Sequence, residues 1–284
     1  MATIDVQMPY NGPEIHVHED VSRRHHLGNT FEAYRAELDE ENALREKLII
    51  LSRSTTQLSK KLIFHLHRGA TSGPSQRKKN LEDGKKKERE IAAVFGNIKS
   101  ELQSSYEGYG GWEKGFWKWR KSVTPGLEEY IESLSFMWYL EHGNLIPLKQ
   151  VQKALSDESG EPASHANHCL VVITPEDYIL GMSDLTGELM RYATNALGTG
   201  NHEIPLEVCD FVRTVKTQFD AVNPDALRQL SKKQEETQRS LEKIEKVCYA
   251  LRLRLIEFAD RPDILAQMAK RALDDADNKG SSAE

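Results

Sequence analysis

Leucines at 38, 44, 48, 51, 58, 62 and 66 recur at close to three- and four-residue intervals, with Glu, Arg and Lys between them. That is the repeat of one face of an α-helix, not the alternation of a strand. A helix carrying this stripe from Asn29-Thr30 to Gly69 and TSGP (71–74) would run to roughly 55–60 Å at 1.5 Å per residue, long for a globular helix, so the chain reads as an elongated helical bundle. The rest of the sequence repeats the pattern. A second helix is predicted over about 80–107, with Ile91, Val94, Phe95, Ile98 and Leu102 on one face, and a third over about 112–142 between EGYGG (107–111) and Gly143-Asn144. A short fourth starts near Pro147, a residue suited to a first helical position. Residues 156–170 are loop by composition.

Thr174, Pro175 and Asp177 then form a capping signal for a fifth helix reaching Gly198. Pro205 opens a sixth, about 204–220, and NPDAL (223–227) a long seventh, about 224–258, with Leu227, Leu230, Leu241, Ile244, Val247, Cys248 and Leu251 as its apolar stripe. Only LVVIT (170–174) is β-like, and no internal repeat is visible. The fold class is all-α. Residues 1–29, polar and without periodicity, read as a flexible N-terminal arm. Residues 30–258 form the helical domain, and 259–284 a tail with a short helical pattern ending in the disorder-prone DDADNKGSSAE.

With 38% hydrophobic residues the chain can bury a core, and its 29% of charged residues suits long helices with solvated faces. A formal net charge of −6 argues against a freestanding nucleic-acid binder; an RNA site here is a local basic patch or is shared with a more basic partner. Three dispersed cysteines, Cys169, Cys209 and Cys248, make neither a disulfide framework nor a zinc spacing and point to a reducing compartment. The N-terminus lacks the pattern of a secretory signal, and no apolar run approaches the ~20 residues of a membrane helix. Cytoplasm and nucleus are the expected compartments.

Chemistry enters through two acidic pairs. In GLEEYIESLSF (126–136), Glu129 and Glu132 share a helix face; in YILGMSDLTGELMR (178–191), Asp184 and Glu188 do. Both helices are apolar around much of their circumference, so some of these acids point inward. Two like charges about 4 Å apart repel by roughly 4 kcal/mol at an effective dielectric of 20, so either a proton or a cation sits among them. Hard oxygen ligands select Mg²⁺, Mn²⁺ or Ca²⁺, and an ion so held lowers the pKa of bound water and neutralises a phosphoryl transition state. The competing reading of ExxE or DxxxE is a solvated helix face, the reading given to Glu128.

TPEDYILGMSDLTGELMR, continued by ATNALGTGNHEIPLEVCDFVR, resembles the signature of the translin-associated factor X (TRAX) branch of the translin family. GLEEYIESLSF, KVCYALRLR (246–254) and LSRSTTQLSKKLIFHLHR (51–68) match corresponding segments, so the resemblance spans about residues 30–258. Translins share the fold but lack the DLTGELMR form and the paired glutamates. The resemblance implies a seven-helix protomer that assembles with translin into a hollow, roughly octameric shell. In that shell TRAX-type subunits supply metal-dependent endoribonuclease activity on single-stranded RNA and translin supplies most of the RNA binding. It implies that Glu129, Glu132, Asp184 and Glu188 are the catalytic and metal-binding residues, with Mg²⁺ as cofactor and Mn²⁺ as substitute. Nicked passenger strands in RNA silencing and trimmed precursor-tRNA fragments are the implied products, and single-stranded DNA is a further candidate ligand. The chain departs from animal members in its N-terminal arm, where Arg23-Arg24 stands in place of a bipartite basic signal; the basic stretch at 77–87 is the alternative import signal.

WEKGFWKWRK (112–121) interleaves Lys114, Lys118, Arg120 and Lys121 with Trp112, Phe116, Trp117 and Trp119. This suits phosphate contact plus base stacking, or equally an aromatic core with solvated cations. Arg191 suits either a phosphate or a structural salt bridge. His165, His168 and Cys169 lack a fourth zinc ligand, and His65 and His67 face different ways on a helix. Two other functions compete: a non-catalytic nucleic-acid-binding scaffold that partners translin, and an all-α nucleotide pyrophosphohydrolase, which the DxxxE spacing fits poorly.

Overall fold

The computed structural model describes residues 17–106, 111–156, 169–198, 200–223, 225, 227 and 229–257, with side chains from His25 onward except at Arg254. Seven helices occupy them: α1 (Val17–Ala70), α2 (Pro74–Ser105), α3 (Trp112–His142), α4 (Leu148–Ala154), α5 (Pro175–Gly198), α6 (Glu203–Asp220) and α7 (Leu230–Glu257). No strand forms among the described residues. The β-like LVVIT segment is an irregular connector that buries Val171 and Ile173.

The chain divides into two units, Met1–Glu46 and Lys47–Glu284. The first unit contains the N-terminal part of α1. Leu27, Phe31, Tyr34 and Leu38 follow one another there at helical spacing and are between 56% and 70% exposed, so Leu38 is not the core residue that the leucine stripe predicts. The helix also begins at Val17 rather than near Asn29. The expected arm of residues 1–29 is therefore helical from residue 17, and residues 1–16 lie outside the described residues. Leucine periodicity marks an apolar helix face, not whether the chain itself covers that face or where the backbone bonds begin.

In the second unit α5 packs against α3, α6 and α7, α2 packs against α3, and α6 against α7. Leu48, Leu62, Leu66, Phe95, Phe116, Leu127, Tyr130, Phe136, Leu189, Val212 and Ile244 are fully buried between these helices.

Several boundaries follow the sequence signals. Gly143 adopts φ 70° at the end of α3 and donates to the Tyr139 carbonyl at 2.8 Å, the left-handed cap that glycine accepts without strain. Others differ. Pro74 does not only stop α1; it starts α2, so the basic stretch lies within a helix. Arg77 there donates to the Leu140 carbonyl and Lys85 pairs with Glu141 at 2.7 Å, tying α2 to the end of α3. The seventh helix begins at Leu230, not near residue 224, because Asn223 Oδ1 accepts from the Asp225 amide at 3.0 Å and closes a local turn instead. The expected tail, 259–284, lies outside the described residues.

Candidate active site

The two acidic pairs sit where α3 meets α5, and both helices are shaped for that meeting. Pro125 interrupts the α3 hydrogen-bond ladder. Ser52 of α1 repairs the break: its hydroxyl accepts from the Gly126 amide at 3.1 Å and donates to the Val123 carbonyl at 3.3 Å. A Cβ on Gly126 would stand 2.7 Å from the Ser52 carbonyl oxygen. One turn before Asp184, Gly181 lets α5 lie directly on α3, since a Cβ there would stand 2.7 Å from Ile131 Cβ and 2.9 Å from the Glu128 carbonyl oxygen.

The start of α5 is capped as the TPEDY spacing predicts. The Thr174 amide and hydroxyl donate to Asp177 Oδ2 at 3.0 and 2.6 Å, and the Asp177 amide donates back to Thr174 Oγ1 at 3.1 Å. Asp177 is wholly buried. Its remaining oxygen accepts from Arg120 at 2.8 Å, and the same guanidinium nitrogen lies 3.0 Å from both Thr174 Oγ1 and Glu176 Oε2. Arg120, an RNA-contact candidate from sequence, is thus committed to holding α5 on α3. The low-dielectric surroundings of Asp177 make a paired charge there necessary.

The four candidate acids line this junction, each partly shielded from solvent. Burial raises the Glu132 carboxyl, and the charges of Asp184, Glu129 and Glu188 raise it further, to about 8. Those three residues are therefore close enough to act on Glu132. Burial also raises Asp184, opposed by the bonds and charge of Lys233. Glu128, read from sequence as a surface acid, belongs here as well: burial pushes it up to about 7, Lys233 pulls it down, and Asp184, Asp177 and Glu176 push it up.

Each of the other three acids is held by a base. Lys233 of α7 donates to both Asp184 oxygens, at 2.5 and 2.6 Å. Lys60 of α1 lies 3.2 Å from Glu129. Glu188 meets His67 of α1 at 2.5 Å and Arg191 at 3.3 Å, so Arg191 makes the salt bridge of its two alternatives. His67 is clamped between Glu188 and the Phe136 ring, whose centroid is 4.6 Å from its own. Burial works against the Lys233 ammonium, yet Asp184, Glu128 and Glu236 raise it above the ordinary lysine value.

The donor chemistry suits a hard divalent cation: carboxylate oxygens from two facing helices, partly dehydrated and mutually repelling. As the side chains stand, no group of three His, Cys, Asp or Glu among the described residues converges to hold a metal ion. The expected convergence of four acids on one point is therefore not assembled; Lys60, Lys233, His67 and Arg191 contact three of the carboxylates instead. The residues fit the ion by type and position, and their bases would have to give way to it.

Upstream on α3 the aromatic–basic segment separates into two faces. Trp112 and Phe116 are core, and Trp119 donates to Tyr106 Oη at 3.1 Å. Trp117 is 52% exposed and lies on the exposed side of the helix with Lys114, Lys118 and Lys121; Lys118 also stacks over the Trp119 ring. Trp117 and Lys121 precede Glu128 and Glu132 by 11 residues, about three turns and ~16 Å along one face. His65 binds the Asn80 carbonyl at 3.0 Å, and His165 and His168 lie outside the described residues. Lys60, His67 and Lys233 were invisible as site residues, since no local spacing connects a base to an acid on another helix.

The Translin family model matches residues 43–255. The chain is 35% identical to translin-associated protein X of Rattus norvegicus over 236 residues, 79% of this chain and 78% of that protein. It is 24% identical to translin of Homo sapiens over 220 residues, 75% of this chain and 87% of that protein. Among solved structures it resembles AfC3PO in its duplex RNA complex, with a TM-score of 0.56 and 16% identity over 80% of this chain and 98% of that one.

Proposed function

Since the chain belongs to the translin family, with its similarity weighted toward the translin-associated protein X members, we propose that it is the catalytic subunit of a metal-dependent endoribonuclease assembled with translin. Single-stranded RNA is the substrate, and single-stranded DNA is a second ligand. The observation that carries this reading is the carboxylate junction of α3 and α5. Burying Glu132 among Asp184, Glu129 and Glu188, with Glu128 beside them, raises Glu132 to about 8, an expensive arrangement that a purely structural interface does not need. Glu129, Glu132, Asp184 and Glu188 would hold Mg²⁺, with Mn²⁺ as substitute. Bound there, the ion supplies an activated water and charge neutralisation at phosphorus.

The remaining residues bind and orient. Lys114, Lys118 and Lys121 attract the phosphates and Trp117 offers an exposed ring for a base, on the α3 face that leads to Glu132. Arg191 keeps Glu188 oriented and stands exposed enough to meet a phosphate. Arg120 acts only through α5. The exposed stripe Leu27, Phe31, Tyr34 and Leu38 supports assembly with a partner helix, in keeping with a hetero-oligomer, expected as an octamer.

A second reading has its own support: Glu129, Asp184 and Glu188 are each paired with a basic side chain, as in a structural network, and a non-catalytic scaffold would need no more than that. Co-expression with translin, sizing of the complex and a single-stranded RNA cleavage assay with and without Mg²⁺ separates the two. The expected result is Mg²⁺-dependent cleavage that Asp184→Ala abolishes while assembly and RNA binding persist. Cleavage retained by an assembled Asp184→Ala complex overturns the catalytic role of the junction, and an assembled wild-type complex that binds RNA without cutting it leaves the scaffold.

A further inference from the structure

Lys233 differs from the two other cationic side chains at the carboxylate junction, Lys60 and Arg191. Its ammonium contacts both oxygens of Asp184, at 2.5 and 2.6 Å, and its side chain is 15% exposed. Lys60, by contrast, is 63% exposed and Arg191 59% exposed, each reaching its glutamate from solvent.

The position of Lys233 is built into the fold. Leu230 and Thr237, one turn to either side, are buried against the neighbouring helices. Thr237 Oγ1 meets Thr186 Oγ1 of α5 at 3.5 Å. Gln234 Nε2 donates to the Phe219 and Val222 carbonyls at 3.0 and 3.1 Å, pinning the first turn of α7 to the end of α6. A lysine fixed in this way delivers one positive charge, with two hydrogen bonds, to the Asp184 carboxylate.

We propose that Lys233 is a tethered cation that competes with the divalent ion for Asp184. Ion binding and withdrawal of the Lys233 ammonium would then be one exchange, and Lys233 would set the ion affinity of the site. The proposal rests on the metal-binding reading of the four acids. It follows from charge and reach: an ammonium bonded to both Asp184 oxygens occupies the edge at which that carboxylate would chelate an ion, and a positive charge left within a few ångströms opposes any divalent cation. A four-carbon stem lets the ammonium swing away without moving α7.

The test uses the full-length chain co-purified with translin, with Mn²⁺ as the probe and calorimetry or electron paramagnetic resonance as the readout. Lys233→Met keeps the stem and removes the charge; it is expected to bind Mn²⁺ roughly tenfold more tightly or better, while Lys233→Arg stays near wild type. A second measurement needs no variant. Acylation of lysines followed by mass spectrometry should show Lys233 protected without Mn²⁺ and several-fold more reactive when Mn²⁺ saturates the complex. Equal or weaker Mn²⁺ binding by Lys233→Met, or unchanged Lys233 reactivity at saturation, overturns the exchange and leaves the metal site standing. Absence of Mn²⁺ binding in both wild type and Lys233→Met overturns the metal site and the exchange with it.

Discussion

At the scale of single residues, the junction is governed by the free energy of burying carboxylates. Glu132 is raised to about 8, above its unfolded value near 4.5, so the folded chain binds a proton that the unfolded chain releases between those two values. Stability from this group is complete at acidic pH and falls as pH rises through about 8. Glu132→Gln should therefore match wild type near pH 5 and exceed it by a few kcal/mol above pH 8, read by denaturant unfolding at the two pH values. The same proton competes with a cation. Mn²⁺ affinity of the wild-type complex should rise from pH 6 to pH 8, because Glu132 must ionise to hold the ion; a pH-independent affinity would separate Glu132 from the ion. Glu128 itself shows how far spacing alone reaches. Adjacent to Glu129, it looks like the solvated member of the pair, and only the approach of α5 at Gly181 turns it inward.

At the scale of elements, what matters is how closely α5 lies on α3. Gly181→Ala retains every acid yet forces Cβ against Ile131 and the Glu128 carbonyl. A cost of about 1–3 kcal/mol is expected, with loss of Mn²⁺ binding out of proportion to the loss of stability, measured by unfolding and calorimetry on one preparation. Arg120 and the exposed lysines of α3 should behave in opposite ways. Arg120→Ala leaves Asp177 buried without its counter-charge, for about 3 kcal/mol of stability. Lys114→Ala and Lys121→Ala should leave stability unchanged and weaken single-stranded RNA binding, each reducing the salt slope by roughly 0.7. Binding titrations at several salt concentrations distinguish the two classes. The capping box at Thr174 was readable because all its partners lie within one turn. The start of α7 was misread because NPDAL carries the same local chemistry, spent there on a turn closed by Asn223.

At the scale of the whole molecule, the unit Met1–Glu46 presents an apolar stripe that its own residues leave exposed. Phe31→Glu with Leu38→Glu should prevent co-assembly with translin in a sizing experiment while leaving the circular dichroism of the chain helical; an assembled double variant would place the interface elsewhere. Sequence alone determined the all-α class, most of the helix limits and the two acidic pairs on their faces, because periodicity, caps and glycine stops act over a few residues. It also carried family membership through the DLTGELMR and GLEEYIESLSF segments. Tertiary structure alone decided which bases meet those acids. His67 and Glu188 are 121 residues apart, Lys233 and Asp184 49, and no short-range rule relates them. The protonation of Glu132, Glu128 and Asp184 is set by desolvation, by one another's charges and by Lys233 of α7, and these act only once the helices have packed.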